Sequence, residues 1–220
     1  LSGWAMAGAA FGGAFLAVLA VSLAAKWAGG SQTAVILSGV AMNAFLGAMS
    51  DAVTDLVPEA AAMSADFRVG GFGAVVPARL IPAGILILLA LGAVLLLHRE
   101  LEVLSLGEDL ARSLGVNARR MRTVFLALAA LLCGAAVSFA GLLGFVGLIV
   151  PHALRRFAGT ECRVLLPLAA IWGGAFVTVC DLLARLAFRP QELNVGILLS
   201  ALGGPFFLYL LSKRGGGQDA

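Results

Sequence analysis

Long apolar runs separated by short polar breaks dominate the chain. The first run extends from Trp4 to Ala25 and closes on Lys26 and Trp27, a cation and an aromatic suited to a membrane interface. Gly29-Gly30-Ser31-Gln32 then reads as a tight turn. A second run covers Ala34 to about Met49 and ends at Asp51. The interval from Asp51 to Arg79 is polar, holds Asp55, Glu59, Asp66 and Arg68, and is long enough to predict a short helix of its own. The third run is Leu80 to Leu97, with Pro82 near its start, where proline is tolerated, and His98-Arg99-Glu100 at its end. Thr123 to Leu154 carries no charge; it is too long for one span and slightly short for two. Gly141 and Gly144 near its middle predict two spans, about 122–140 and 142–157, hinged there, with arginines snorkelling at each end. The loop Arg155 to Arg163, a sixth run from Val164 to Phe188, the turn Arg189-Pro190-Gln191-Glu192 and a seventh run from about Val195 to Leu211 follow. Lys213-Arg214 stops the last run ahead of a disordered GGGQDA tail. A bilayer core of about 30 Å needs roughly 20 apolar residues per helix, so the pattern predicts an all-α polytopic membrane protein with about seven spans.

Composition strengthens this. The chain has 220 residues, of which 61% are hydrophobic and 12% charged. A soluble domain carries roughly 25% charged residues, so this chain lacks the charge to coat a water-soluble surface. The 28 glycines suit close helix packing in lipid. A transmembrane barrel would alternate apolar and polar positions; these runs are continuous. The net charge of +3 is informative through its sidedness and not as a nucleic-acid signal. With seven spans, Lys26, Arg99, Arg112, Arg119, Arg120, Arg122, Arg155, Arg156, Arg163, Lys213 and Arg214 share one side. Only Arg68, Arg79, Arg185 and Arg189 share the other, which the positive-inside rule makes external. The chain begins at Leu1 without a signal peptide's charged n-region, and reads as one whose beginning is missing. Cys133, Cys162 and Cys180 have no CxxC spacing and read as small buried hydrophobes.

The polar stretch LSLGEDLARSLGVNARRMR, Leu104 to Arg122, then falls in the cytoplasm. Glu108 and Asp109 sit where a helix N-terminus favours acids, and Gly115 is placed as its C-terminal stop. Leu110, Ala111 and Leu114 are spaced to share one face. So short a helix cannot hold itself together. It must pack on its own bundle or on a partner, or else lie on the membrane surface.

Its surroundings resemble a family. Glu108-Asp109-Leu110-Ala111 followed by Gly115 is similar to the coupling loop of ABC import permeases, whose short helix docks in a cleft of the ATPase subunit. SLGEDLARSLGV, GLLGFVGLIVPHALRR, Arg163 to Pro167, Asp181 to Leu186, Glu192 to Gly196 and GGPFFLYLL follow in the order seen in FecCD/BtuC-type permeases, importers of iron–siderophores, haem and vitamin B12. The resemblance covers nearly the whole chain, most tightly 100–212. Asn194 stands where the family often has proline, and Cys162 where it often has histidine. Family members have ten transmembrane helices, so the resemblance implies a chain without the first three.

Several roles are implied by the resemblance. The chain is then one permease domain over 1–220, with a cytoplasmic coupling loop at 101–120 and an external loop at 51–79. Glu108, Asp109, Ala111, Arg112, Leu114 and Gly115 would couple to a separate ABC ATPase subunit. Arg185 and, more weakly, Arg189 would meet carboxylates of an external substrate-binding protein. Asp181 and Arg185 also lie one helical turn apart and can pair as a structural feature. Ser31, Gln32 and Thr33 would lie near an inner gate or form an ordinary turn, and Gly203, Gly204 and Pro205 would flank the pathway at a break in the last span. His152 after Pro151 is placed for helix-end packing, not for ligation. A second permease copy, identical or paralogous, would complete the pore in a bacterial inner membrane, with coupling loop and C-terminus cytoplasmic. No phosphate loop, metal cluster, nucleophile–base arrangement or cofactor motif is present in the sequence, so the chain reads as a transport subunit and not an enzyme. The alternative is an ATP-independent secondary transporter or a structural membrane bundle. A secondary transporter would show repeats and broken helices with midplane carboxylates. The sequence shows no such repeat and offers only Asp181 as an intramembrane acid.

Overall fold

The structure is a computed structural model that describes residues 3–28, 32–73, 75, 77–159, 161–187 and 193–215. Among these residues the chain forms ten helices: α1 (Gly3–Trp27), α2 (Gln32–Leu56), α3 (Pro58–Val69), α4 (Pro77–Leu96), α5 (His98–Ser105), α6 (Glu108–Ser113), α7 (Ala118–Ala140), α8 (Val146–Ala158), α9 (Cys162–Ala187) and α10 (Val195–Gly215). Each expected apolar run carries a helix, and the 51–79 interval carries the short helix predicted for it. Three described helices, Ile36–Leu56, Ala118–Ala140 and Cys162–Ala187, are long and apolar enough to cross a membrane alone. Leu80–Leu96 joined to His98–Ser105 is a fourth, bent by 62°. The chain is an all-α polytopic membrane protein.

Four expectations need correction. The second run does not end before Asp51: α2 continues through Asp51 and Asp55 to Leu56. It stops there because the residue before a proline is driven out of the helical region, and Pro58 opens α3. Asp181 is therefore not the only acid within a candidate span. The segment expected as a span at 142–157 holds only the 13 residues of α8. At 1.5 Å per residue that is about 20 Å, less than a bilayer core. The last helix also passes through Pro205 without interruption and runs on to Gly215. One proline removes only one backbone donor, and the rest of the helix keeps its ladder. Finally, Cys180 is buried but Cys133 is exposed. On the same turns of α7, Ala130 and Gly134 take the buried face and leave Cys133 on the other.

The helices form two groups. In one, α7 packs against α1 and α4, and α2 packs against α1. Its buried positions are mostly small: Ala83, Ala90, Ala118, Ala130, Ala135 and Ala140. Between helices in lipid, close backbone approach replaces the hydrophobic effect as the source of packing energy. In the other group, α8, α9 and α10 contact one another around Val150, Leu154 and Leu165 and around Cys180, Val195 and Leu199. Large apolar residues such as Leu88, Leu89, Ile171 and Trp172 point outward, as a lipid-facing surface requires.

Two junctions tie the groups together. At one, α3 ends against the α7–α8 link: Gly71 N donates to Ala140 O at 2.9 Å and Leu142 N to Phe67 O at 3.0 Å. Gly196 N, at the start of α10, donates to Gly70 O at 3.2 Å. A Cβ on Gly196 would lie 1.7 Å from the Val69 carbonyl oxygen, so only glycine admits this approach. At the opposite end of α9, α5 packs against α9, α6 and α7.

Candidate functional site

The polar stretch holds the end of α5, all of α6 and the first turn of α7. Leu106 and Gly107 turn the chain out of α5, and α6 has no side-chain cap at its N-terminus. Its other end is well defined. Gly115 has φ +81, where a side chain is strained. Its N–H donates to Arg112 O at 3.0 Å, and Val116 N donates to Ala111 O at 2.9 Å. This pair of bonds is the Schellman stop, which satisfies the orphan carbonyls of a helix end. Asn117 then caps α7 by accepting from Arg120 N at 3.1 Å. An asparagine just before a helical run is a start signal, so this cap was available in the sequence and went unread.

The predicted shared face of α6 splits. Ala111 is fully buried, whereas Leu110 is 47% and Leu114 59% exposed. Leu106 beside them is 65% exposed. Ala111 thus anchors the turn to the bundle while three leucines face outward with Asp109 and Arg112, both exposed. The Glu108 side chain lies outside the described residues. An exposed apolar ridge ringed by charge suits a protein partner better than water.

At the far end of α9, Arg185 Nε donates to Asp181 Oδ2 at 2.8 Å. The Arg185 side chain remains 37% exposed and that of Asp181 22%, so the pair reaches the surface. It lines a cavity of about 20 Å³ with Gly71, Phe72, Gly73, Leu193, Asn194 and Val195. The α3–α7–α10 junction and the predicted docking arginine therefore belong to one polar corner. Gly71, Gly141 and Gly196 are scattered over 126 positions, and nothing in their local sequence signals that they meet. Arg68 pairs with Asp51 at the same end, linking α3 to α2. Arg189 lies outside the described residues.

The remaining predicted positions are dispersed. Ser31 and the Gln32 side chain lie outside the described residues, while Thr33 is exposed on an open groove between α1 and α2. Gly203 is buried beneath the Phe145 ring, where a Cβ would come within 2.1 Å. Gly204 has no such neighbour. They sit on α10, and the structure does not bring them together with Thr33. His152 meets Phe206 edge-on at 5.9 Å, a packing contact between α8 and α10. Among the described residues no three His, Cys, Asp or Glu side chains converge to hold a metal.

Bent and short helices pack among long apolar ones, with a capped polar turn at one end. A solved ABC transporter assigned to the metal-chelate type, in an inward-facing conformation, matches with a TM-score of 0.78 and 25% identity, over 94% of this chain and 75% of the other. Residues 1–213 match the FecCD transport family, and the chain belongs to it. It is similar to the hemin transport system permease HmuU of Yersinia pestis, 38% identical over 207 residues, or 92% of this chain and 62% of the relative. It is also similar to the cobalamin import system permease BtuC of Halobacterium salinarum, 41% identical over 210 residues, or 94% of this chain and 56% of the relative. An Fe(3+)-citrate import permease of Bacillus subtilis, YfmD, is 33% identical over 210 residues. The chain spans about six tenths of the length of these curated relatives.

Proposed function

We propose that the chain is the permease subunit of a binding-protein-dependent ABC importer that carries an iron–siderophore or a related chelate such as haem or cobalamin. The observation that carries this is the α6 turn. It is held by a buried Ala111 and a Schellman stop, with Leu106, Leu110 and Leu114 facing outward. Similarity to hemin, cobalamin and Fe(3+)-citrate import permeases supports this class of cargo.

In this reading α6 docks in a cleft of a separate ABC ATPase on the cytoplasmic side of a bacterial inner membrane. The ATPase binds and hydrolyses ATP; the permease converts its closure into helix movement. The 62° bend between α4 and α5 supports a turning element that can move relative to the span preceding it. On the external side, the corner formed by Arg185, Asp181 and the 71–73 segment receives the substrate-binding protein. Asp181 fixes the guanidinium and thereby reduces the freedom lost on docking. A second permease copy, identical or paralogous, completes the pore. In this reading Thr33 on the exposed α2 surface and the Gly203–Pro205 segment of α10 flank the cargo's path.

Co-purification with the cognate ATPase, followed by uptake in proteoliposomes, tests the assignment. Glu108→Ala with Gly115→Ala should reduce both association and uptake. Survival of both would show that α6 does not couple.

A further inference from the structure

One carboxylate ties the α6 end of the first helix group to the second. Glu102 of α5 accepts a hydrogen bond from Cys162 N at 2.8 Å, across 60 positions of sequence. Cys162 is the first residue of α9. First-turn N–H groups have no partner within their helix, and the helix dipole favours an anion there. Among the described residues, Glu102 is the acceptor for this donor. The Glu161 carbonyl is engaged by Val164 N at 3.2 Å and Leu165 N at 2.9 Å. The cap for Cys162 is supplied instead by another helix, through a charge-assisted bond.

The bond has a geometric consequence. Helix α5 has no buried residue, so apolar packing alone does not fix its position. It is joined to α6 by two residues, Leu106 and Gly107. Helix α9 is continuous for 26 residues, and at 1.5 Å per residue Asp181 lies about 28 Å beyond Cys162. Movement of α6 and α5 that preserves the Glu102 bond must carry the start of α9 with it.

We infer that Glu102 is a positioning residue that couples α6 to α9, so that α9 acts as a strut between the ATPase contact and the Asp181–Arg185 corner. This rests on the reading of α6 as the ATPase contact. The corner at the far end already joins α9 to the α3–α7–α10 junction through the residues lining its cavity. One helix thereby spans the distance between the two faces that an importer must keep in step.

The test uses the full permease assembled with its ATPase and binding protein in proteoliposomes. Glu102→Ala removes the acceptor, Glu102→Asp shortens its reach, and Glu102→Gln keeps an acceptor oxygen without the charge. ATPase association and basal hydrolysis should stay within about twofold of the unmodified complex for all three. Stimulation of hydrolysis by the binding protein should fall about tenfold in the Ala and Asp variants, the scale of a lost charge-assisted hydrogen bond, and recover substantially in the Gln variant. Hydrogen exchange on the permease alone should show the amides of 162–165 opening about tenfold faster in Glu102→Ala, with α7 unchanged. Faster exchange with normal stimulation would make Glu102 a simple cap and overturn the strut. Unchanged exchange would overturn the bond itself. Failure of the unmodified permease to bind the ATPase would overturn the reading of α6, and the strut with it.

Discussion

At Gly115, one residue's backbone conformation ends α6 and so shapes the surface proposed to meet the ATPase. Its φ of +81 costs an L-residue about 1–2 kcal/mol. Gly115→Ala should therefore loosen the end of α6 and weaken ATPase association roughly 5- to 30-fold, measured by titration of the solubilised complex. Gly196 poses a different constraint. A methyl group there meets the Val69 carbonyl, and α10 must shift to admit it. Gly196→Ala should lower the thermal unfolding midpoint of the detergent-solubilised protein, by an overpacking cost of about 1–3 kcal/mol or more. Gly204→Ala, with open space at its Cβ, should leave that midpoint nearly unchanged. Gly115 was legible because it follows a short amphipathic run at the spacing of a helix stop. Gly196 was not, because its constraint comes from residues 69 and 70, far away in the chain. The Asp181–Arg185 pair was legible from i, i+4 spacing alone. The corner around it was not, since Gly71 and Asn194 arrive by tertiary folding.

Among elements, the proposed function rests on α6, and α5 packs against it. Leu110 and Leu114 are 47% and 59% exposed, which leaves about half of each side chain open to a partner. Leu110→Asp with Leu114→Asp should leave the fold's helix content unaltered by circular dichroism. ATPase association should nevertheless drop by tenfold or more, because each buried leucine contributes about 1.5–3 kcal/mol at a docked surface. The apolar pattern found α4, but it ended the element at His98-Arg99-Glu100. Those charges open α5, whose eight residues lie at a 62° bend from α4. So short a helix cannot sustain itself; its contacts with α6, α7 and α9 hold it. Helix α8 shows the converse limit. Apolar composition predicted a span, but the five residues 141–145 unwind at the tertiary junction and leave a helix of 13.

On the scale of the whole molecule, two helix groups meet at a junction of backbone hydrogen bonds at one end and at the α5–α9 contact at the other. The proposed sidedness rests on the charge distribution. A cysteine placed at exposed Ser105 should react with a membrane-impermeant maleimide only from the cytoplasmic face. One at exposed Asp51 should react only from the external face, in a background where exposed Cys133 has been replaced. Labelling from the reverse faces would invert the positive-inside assignment. The central claim is that α6 is the surface through which an ABC ATPase drives the bundle. Its most direct test is site-specific photo-crosslinking from position 110 or 114 in the full membrane complex. The account predicts an adduct with the ATPase subunit from both positions, and none from Leu88, an exposed position of α4 assigned to lipid. Adducts with lipid alone from 110 and 114, in a complex that still imports its cargo, would contradict it.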